Sequence, residues 1–352
     1  MAGGPGGPSR ATLSVGGTVL HDWPQSSSKA PVPVGGGDPS PPAAARLPVA
    51  KPIPWPAAFQ WTADARGRVC LWGLEHVTVG RVNVSAADRG AANPDPVAPP
   101  EVVDDDHALA AWLATVAGDE LTELRGQGLE GKALKDAGDR TSHELLMRLL
   151  ARYRRDDAVL SEEGKDDAIR LRSSRVWIID PLDGTREYSE PPRADWAVHV
   201  ALWMDGDLEA GAVAQPGLGT TFSTAEPPAL SPRSAGPPRI AVSRTRPPAF
   251  VEGLAEEVGA NLVPMGSAGA KVISVVRDVS DAYVHAGGQY EWDSAAPVAV
   301  ARSAGLFTSR ADGAPLAYNQ PDVLLPDLLV CRPELADTIT SYVRAYWAAH
   351  GL

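Results

Sequence analysis

The sequence of 352 residues is poor in cysteine: it has only two, Cys70 and Cys331, and they show no metal-binding or disulfide spacing. So few cysteines argue against a disulfide-stapled secreted domain, and we expect a cytoplasmic protein. The sequence also lacks an apolar run long enough to cross a bilayer. Its first residues lack the basic-then-apolar order of a secretory signal, so we expect no membrane partner.

Positive charge is also scarce. Lysine and arginine number 32 against 44 aspartate and glutamate residues, which gives a net charge of −12. A protein that binds nucleic acid polymers usually carries a basic patch, so we do not expect that class. An acidic protein that handles an anionic substrate needs a metal ion to reverse the local field. The 44% apolar content supports one large or two medium cores.

Glycine and proline are abundant and make up about one-third of the opening of the chain, a composition that rarely packs. We therefore expect a disordered tail over residues 1–65 and a short hairpin with a linker over 66–103. Residues 104–235 are predicted to form an N-terminal α+β half, which holds most of the acidic residues discussed below as metal ligands. A Pro/Ser/Gly segment at 226–238 is predicted to connect it to a C-terminal α/β half, 236–352, which completes the candidate site that these residues form.

Apolar periodicity predicts the main elements of both halves. Helices are predicted at His107–Arg125, at Thr141–Tyr153 and near 249–258, 269–277, 294–304 and 333–349. Strands are predicted at Val176–Ile179, Trp196–Trp203 and Ala210–Ala214.

Two carboxylates follow the first of these strands. Because proline cannot continue a central strand, Pro181 is predicted to end it, which places Asp180 and Asp183 on the tight turn that follows. Carboxylates held this close repel each other unless cations lie between them, and such oxygen ligands suit Mg2+ or Mn2+. The alternative is an ordinary Asp-Pro turn capped by its own side chain. Gly184 and Thr185 favour the site, since they offer close backbone approach, a hydroxyl and an amide for an anion.

Two further acidic residues lie at the edges of apolar elements. Glu162 follows the short run that ends at Leu160, and Asp293 is predicted to be the N-cap of a small-residue helix. Taken singly, the first is a solvated charge and the second a helix cap. Together with Asp180 and Asp183 they form the pattern expected of a two-metal phosphate site assembled by folding.

The motifs that carry these acids resemble the inositol monophosphatase superfamily. They are Ser161-Glu162-Glu163, Asp180-Pro181-Leu182-Asp183-Gly184-Thr185 and Trp292-Asp293-Ser294-Ala295-Ala296. Arg186-Glu187-Tyr188 is similar to the Lys-Glu-Phe of CysQ-type 3'(2'),5'-bisphosphate nucleotidases, and the segments 266–271 and 285–293 look like those of actinobacterial CysQ proteins. The resemblance covers roughly residues 104–347. It implies an α/β (α+β layered) fold, the αβαβα sandwich of the sugar phosphatases.

The resemblance also implies roles for individual residues. The metal ligands would be Glu162, Asp180, Asp183 and Asp293, with the backbone carbonyl of Leu182. They would hold two or three Mg2+ ions, with Mn2+ as an alternative. The catalytic residues would be Thr185, which orients and helps to activate a water, its partner Asp139, and Glu162. Asp139 stands where the family has the aspartate of a Thr-x-x-Asp segment, although this chain lacks the usual threonine.

The substrate-binding residues implied by the resemblance are Gly184, Thr185, Ser267, Lys271 and Arg244. The two amides would hold the phosphate, Ser267 would lie near a ribose, and the two cations would meet a second phosphate. The alternative for Arg244 and Arg246 is an ordinary surface cation. The nucleotidases often have a histidine in the segment that reads Ser243–Arg246 here.

The expected function is therefore Mg2+-dependent, Li+-sensitive hydrolysis of the 3'-phosphate of adenosine 3',5'-bisphosphate, and of 3'-phosphoadenylyl sulfate, by a metal-activated water. This activity would clear a by-product of sulfate assimilation, and a homodimer is a common arrangement in the superfamily. One alternative is inositol monophosphatase or fructose-1,6-bisphosphatase activity at the same site. Another, from a different class, is a non-catalytic regulator that binds nucleotide and metal.

Overall fold

The computed structural model describes residues 95–351, together with the backbone of Thr62–Ala63 (β1) and Val69–Cys70 (β2). These two short strands pair antiparallel. Most of the predicted tail, and of the hairpin and linker up to residue 94, lies outside the described residues. Those parts of the domain division stay predictions.

Five strands form a first sheet in the order β3-β4-β5-β6-β7. They are β3 (Ala158–Ser161), β4 (Arg175–Asp183), β5 (Ala197–Met204), β6 (Asp207–Gln215) and β7 (Thr220–Ser223). The first pair is parallel and the others are antiparallel. Residues 224–238 then lead to the second sheet and include the predicted connection.

Five later strands form the second sheet in the order β11-β12-β10-β8-β9. They are β8 (Arg239–Ser243), β9 (Asn261–Met265), β10 (Ala282–Tyr290), β11 (Phe307–Ser309) and β12 (Leu324–Cys331). Strand β8 is parallel to both of its neighbours, and β12 is antiparallel to both of its own.

Helices cover both sheets. Within the described range they are α1 (Pro100–Val103), α2 (Asp106–Arg125), α3 (Gly131–Tyr153), α4 (Thr185–Tyr188), α5 (Val251–Val258), α6 (Ala268–Val276), α7 (Glu291–Ser303) and α8 (Ala336–His350). None of these helices combines the length and the apolarity that crossing a membrane requires.

Three apolar cores separate the layers. The first joins α2 and α3 to one face of the first sheet, the second encloses α6 and α7 between the two sheets, and the third joins α5 and α8 to the outer face of the second sheet. Strand β4 serves two cores because its side chains alternate: Trp177 and Ile179 face the first, and Val176 and Ile178 face the second. The order of layers confirms the expected αβαβα sandwich.

The expectation that β4 ends at Pro181 was wrong. The strand pairs Asp180 with His199 and then Asp183 with Ala197, so three residue steps on β4 oppose two on β5. This extra residue is a β-bulge, where a proline without an N–H is tolerated. The carboxylates therefore lie on a bulged strand end rather than on a turn after the strand.

Two helices near the start of the described range also differ from the expected elements. Helix α3 begins ten residues before Thr141. Its first half was missed because it carries polar residues such as the Lys132–Asp136 pair and shows little apolar periodicity. Helix α1 lies inside the predicted linker, where Pro100 occupies the first helical position and needs no hydrogen-bond acceptor.

Candidate active site

Three carboxylates meet where β4 faces the start of α7. Asp180, Asp183 and Asp293 each offer an oxygen atom within 4.8 Å of the others. Asp293 is the third residue of α7 rather than its N-cap, because the helix begins two residues earlier, at Glu291. From this position its Oδ2 atom accepts the backbone N–H of Tyr290 at 2.7 Å. Folding therefore brings together three of the four acidic ligands that the sequence suggested.

Glu162, the fourth, lies beside Asp180, and the two carboxyl groups are hydrogen-bonding neighbours. Loss of water contact and nearby carboxylates raise the pKa of Glu162 to about 7. Burial and the same kind of repulsion raise the pKa of Asp180 well above its usual range and that of Asp293 to about 6. The ionised cluster thus holds unrelieved negative charge among oxygen donors only, which is the donor set of a hard divalent cation.

Asp183, unlike these three acids, is surrounded by hydrogen-bond donors, because it lies at the N-terminus of α6. It accepts hydrogen bonds from Ser267 Oγ (2.5 Å) and from the backbone N–H groups of Ala268 (3.0 Å) and Gly269 (2.6 Å). His199 Nε2 lies 3.2 Å from its Oδ2 atom. Burial would raise the pKa of Asp183, but His199, the hydroxyl of Ser267 and the charge of Lys271 outweigh it and lower the pKa to about 2.

Sequence reasoning missed this arrangement. Ser267 followed by small residues is typical of a helix N-terminus, but no local pattern shows which carboxylate the helix will meet. The only signal for His199 was a histidine in an otherwise apolar strand.

The hydroxyl of Thr185 lies between two oxygen atoms. Its Oγ1 atom is 3.2 Å from Asp139 Oδ1 and 3.1 Å from the carbonyl oxygen of Leu182. Burial, followed by repulsion from Glu163, raises the pKa of Asp139 to about 6. Gly184 precedes α4 with φ of 82°, a conformation that favours glycine. Because a helix begins at the next residue, the first amides of α4 have no intrahelical acceptor.

Helix α3 supports the bulge from outside. Ser142 Oγ donates to the carbonyl oxygen of Pro181 at 2.6 Å, in the buried interior. Gly138 lies so close that a Cβ atom there would be 2.8 Å from the Leu182 side chain. Asp180 Oδ1 in turn accepts the N–H of Leu182 at 3.0 Å. Together these contacts fix the direction of the Leu182 carbonyl.

A cavity of about 480 Å3 opens beside the carboxylates. Its wall is formed by residues from both sheets and their helices: Asp183, Arg186, Glu187, Ser243, Arg244, Thr245, Arg246, Met265, Gly266, Ser267, Ala268, Lys271, Tyr283, His285, Gly288, Gln289 and Asp293. The structure thus places Ser267, Lys271 and Arg244 at one cavity with two of the acids.

The two cations have different surroundings. Lys271 is buried, and its Nζ atom donates to the carbonyl oxygens of Gly266 (3.2 Å) and Ser267 (2.5 Å) and lies 5.2 Å from the centre of the Tyr283 ring. Burial lowers its pKa. The guanidinium of Arg244 instead faces the cavity and pairs with an acidic side chain of α4.

The layered fold and the carboxylate cluster are those of a known class of phosphatase. Residues 106–348 match the model of the inositol monophosphatase family. The chain belongs to this family, which confirms the resemblance seen in its motifs, and it is a phosphatase of that family.

Individual relatives show which named proteins of the family this chain is similar to. The 3'-phosphoadenosine 5'-phosphate phosphatase of Mycobacterium leprae is 47% identical over 256 residues, which cover 69% of this chain and 94% of the relative. The protein of the same name from Mycobacterium tuberculosis is 50% identical over 222 residues, which cover 61% and 83%. Among solved structures, CysQ from Bacteroides thetaiotaomicron matches with a TM-score of 0.56 and 24% identity over 64% of this chain and 96% of its own. This last similarity supports the fold.

Proposed function

We propose that this protein removes the 3'-phosphate of adenosine 3',5'-bisphosphate, and also acts on 3'-phosphoadenylyl sulfate, in the cytoplasm. The observation that carries the proposal is one cavity whose wall holds two of the metal-site carboxylates, Asp183 and Asp293, together with three arginines, Arg186, Arg244 and Arg246. A substrate with one phosphate for hydrolysis and a second anionic group suits such a wall. The names of the two mycobacterial relatives, which are about half identical to this chain, support the same substrate.

The metal ions would be held by five residues: Glu162, Asp180, Asp183, Asp293 and, through its backbone carbonyl, Leu182. The all-oxygen donor set, and the raised pKa values of Glu162, Asp180 and Asp293, suit two or three Mg2+ ions, with Mn2+ as an alternative. When bound, such ions neutralise a phosphate dianion and lower the pKa of a water ligand.

The protein's own residues would handle the proton and the phosphate. A threonine hydroxyl has one proton to donate and two lone pairs. If Thr185 donates to ionised Asp139, its lone pairs stay free to orient and deprotonate an attacking water. With a pKa of about 6, Asp139 is ionised at neutral pH and can accept this proton. The amides of Gly184 and Thr185 would hold the phosphate oxygens.

The remaining cavity wall would bind the rest of the substrate. We assign Ser267 to the neighbourhood of the ribose, and Lys271 and Arg244 to the second phosphate. Lys271 would act mainly through its charge, since two carbonyl oxygens already accept from its ammonium group. Arg244, at the cavity surface, can contact an anion directly.

The test is release of inorganic phosphate in Mg2+, with and without Li+, from adenosine 3',5'-bisphosphate, inositol 1-phosphate and fructose 1,6-bisphosphate. We expect the nucleotide to react fastest and Li+ to suppress the reaction. Preference for a sugar phosphate would leave the assignment of the active site intact and show that the proposed substrate is wrong. Nucleotide binding without release from any substrate would indicate the non-catalytic regulator instead.

A further inference from the structure

An ion pair joins the two halves of the chain at the cavity wall. Arg244 follows β8, and its Nη2 atom lies 2.5 Å from Oε1 of Glu187 in α4. The same nitrogen atom lies 3.4 Å from Oε2 of Glu190. Glu187 is only two residues beyond Thr185, so this contact links the nucleophile-orienting helix to the basic part of the wall.

Glu187 has little freedom to move away from this pair. Its side chain is 8% exposed, and it packs directly on the bare Cα atom of Gly266, where any added Cβ atom would clash with it. The backbone N–H of Gly266 is held in turn by Asp195 Oδ2 at 2.7 Å. The carboxylate is therefore a fixed point, and it fixes the guanidinium that it binds.

The pairing leaves donors available for a ligand. A guanidinium carries five N–H donors in a rigid plane, and Glu187 and Glu190 both contact the Nη2 nitrogen of Arg244. Arg246 lines the same cavity and, among residues 95–351, has no carboxylate within ion-pair distance. A fixed Arg244 and a free Arg246 together suit a second anionic group.

We propose that Glu187 is a specificity-determining positioning residue: it orients Arg244 so that the cavity favours substrates with a second anionic group besides the phosphate that is hydrolysed. This inference rests on the proposed function and deepens it by naming a residue that sets the preference for phosphate monoesters with a second anion. Glu187 acts through Arg244 and does not touch the reacting atoms.

The experiment compares kcat/KM for adenosine 3',5'-bisphosphate with that for adenosine 3'-monophosphate, which has the same 3'-phosphate ester bond and lacks the second phosphate. Arg244→Gln is expected to lower the ratio of the two values at least about tenfold, mainly through KM, as loss of a charged hydrogen bond does. Glu187→Gln is expected to lower it about threefold or more in the same way, since the neutral amide holds the guanidinium less firmly.

The double variant separates positioning from direct contact. Because Glu187 acts through Arg244, Glu187→Gln combined with Arg244→Gln should lower the ratio no further than Arg244→Gln alone. The matched control is Arg302→Gln. Arg302 has a similarly exposed side chain, 32% against 29% for Arg244, and pairs with Asp207 away from the cavity wall. This control should leave the ratio unchanged.

Three results would overturn the inference. A wild-type ratio near one would show no preference for a second anion, and a higher ratio in Glu187→Gln would show that the carboxylate competes with the substrate. Equal loss of kcat for both nucleotides in Glu187→Gln would show that it merely supports Thr185. If the wild-type protein hydrolyses neither nucleotide, the proposed function is wrong, but the role of Glu187 can still be tested. Calorimetry then measures the affinities of the same variants for the two nucleotides, and the same changes in their ratio are expected.

Discussion

At the residue scale, Asp180 and Asp183 show how far the surroundings of a side chain set its chemistry. They are chemically identical and three positions apart. Burial and other carboxylates raise the pKa of Asp180, whereas His199, with Ser267 and Lys271 at the N-terminal end of α6, lowers the pKa of Asp183 to about 2. Asp183 is ionised at any working pH. Asp180 and its neighbours need a cation to remain ionised together, so metal affinity and the charge of the site are coupled.

Asp139 gives the first prediction at this scale. Asp139→Asn should lower kcat at pH 8 by about 100-fold, the order expected when a proton acceptor is lost. In the wild type the rate should rise with pH through about 6, because the carboxyl must lose its proton to accept one from Thr185. The variant should lack this rise. A pH–rate profile at saturating Mg2+ measures both effects.

Asp136→Asn is the control for that profile. It lies in the same helix, three residues earlier, and its carboxylate pairs with Lys132 at the surface. This variant should keep both the rate and a rise with pH, and the midpoint of the rise should move slightly lower, because the charge of Asp136 contributes to raising the pKa of Asp139. If Asp139→Asn also kept them, Asp139 would have no part in moving the proton.

At the scale of elements, the sequence predicted the pieces better than their contacts. Helix α6 was expected at 269–277 and spans Ala268–Val276, because its apolar periodicity is strong. Nothing local indicated that its first amides would meet Asp183, since that contact joins residues 85 positions apart. The bulge in β4 was missed for a similar reason: Pro181 is a local signal to stop, whereas pairing with β5 on either side of it is a tertiary effect.

The contact between α6 and β5 gives the prediction at this scale. A Cβ atom added at Gly269 would clash with the His199 ring, which is fully buried and cannot swing away. Gly269→Ala should therefore push α6 off Asp183, lower the affinity for Mg2+ about tenfold or more and destabilise the fold by about 1–3 kcal/mol, as overpacking does. Calorimetric Mg2+ titration and urea unfolding measure the two effects.

Gly253→Ala in α5 is the matched control, because it makes the same change inside another helix. The added methyl group there meets the far end of the Tyr342 side chain and no residue of the carboxylate cluster. Its Mg2+ affinity should equal that of the wild type. Wild-type Mg2+ affinity in Gly269→Ala would show that the close contact of α6 is not needed for the site.

At the scale of the whole molecule, the layers bring together acids that the sequence keeps apart. Asp180 and Asp183 come from the first sheet, Asp293 from a helix between the sheets, and Asp139 from the outer layer. The motif order in the sequence predicted that these residues would converge. It could not predict the direction of each side chain, which depends on supports such as Ser142, one layer away from the cluster.

Because the cluster draws on several layers, a bound cation should stabilise the entire fold. We expect each bound Mg2+ ion, at 100 times its dissociation constant, to add about 2.7 kcal/mol to the free energy of unfolding, as mass action requires for one site. Asp180→Asn should abolish this gain together with turnover. It should also make the metal-free protein at least as stable as the wild type, since the amide removes a buried carboxylate that its neighbours repel.

Thermal unfolding with EDTA and with Mg2+ tests this prediction. The control is Asp156→Asn, a substitution at an exposed site. A Mg2+-dependent rise in Tm that survives in Asp180→Asn would place the cation elsewhere, whereas its loss with an intact metal-free fold would tie the stability of both sheets to this one site.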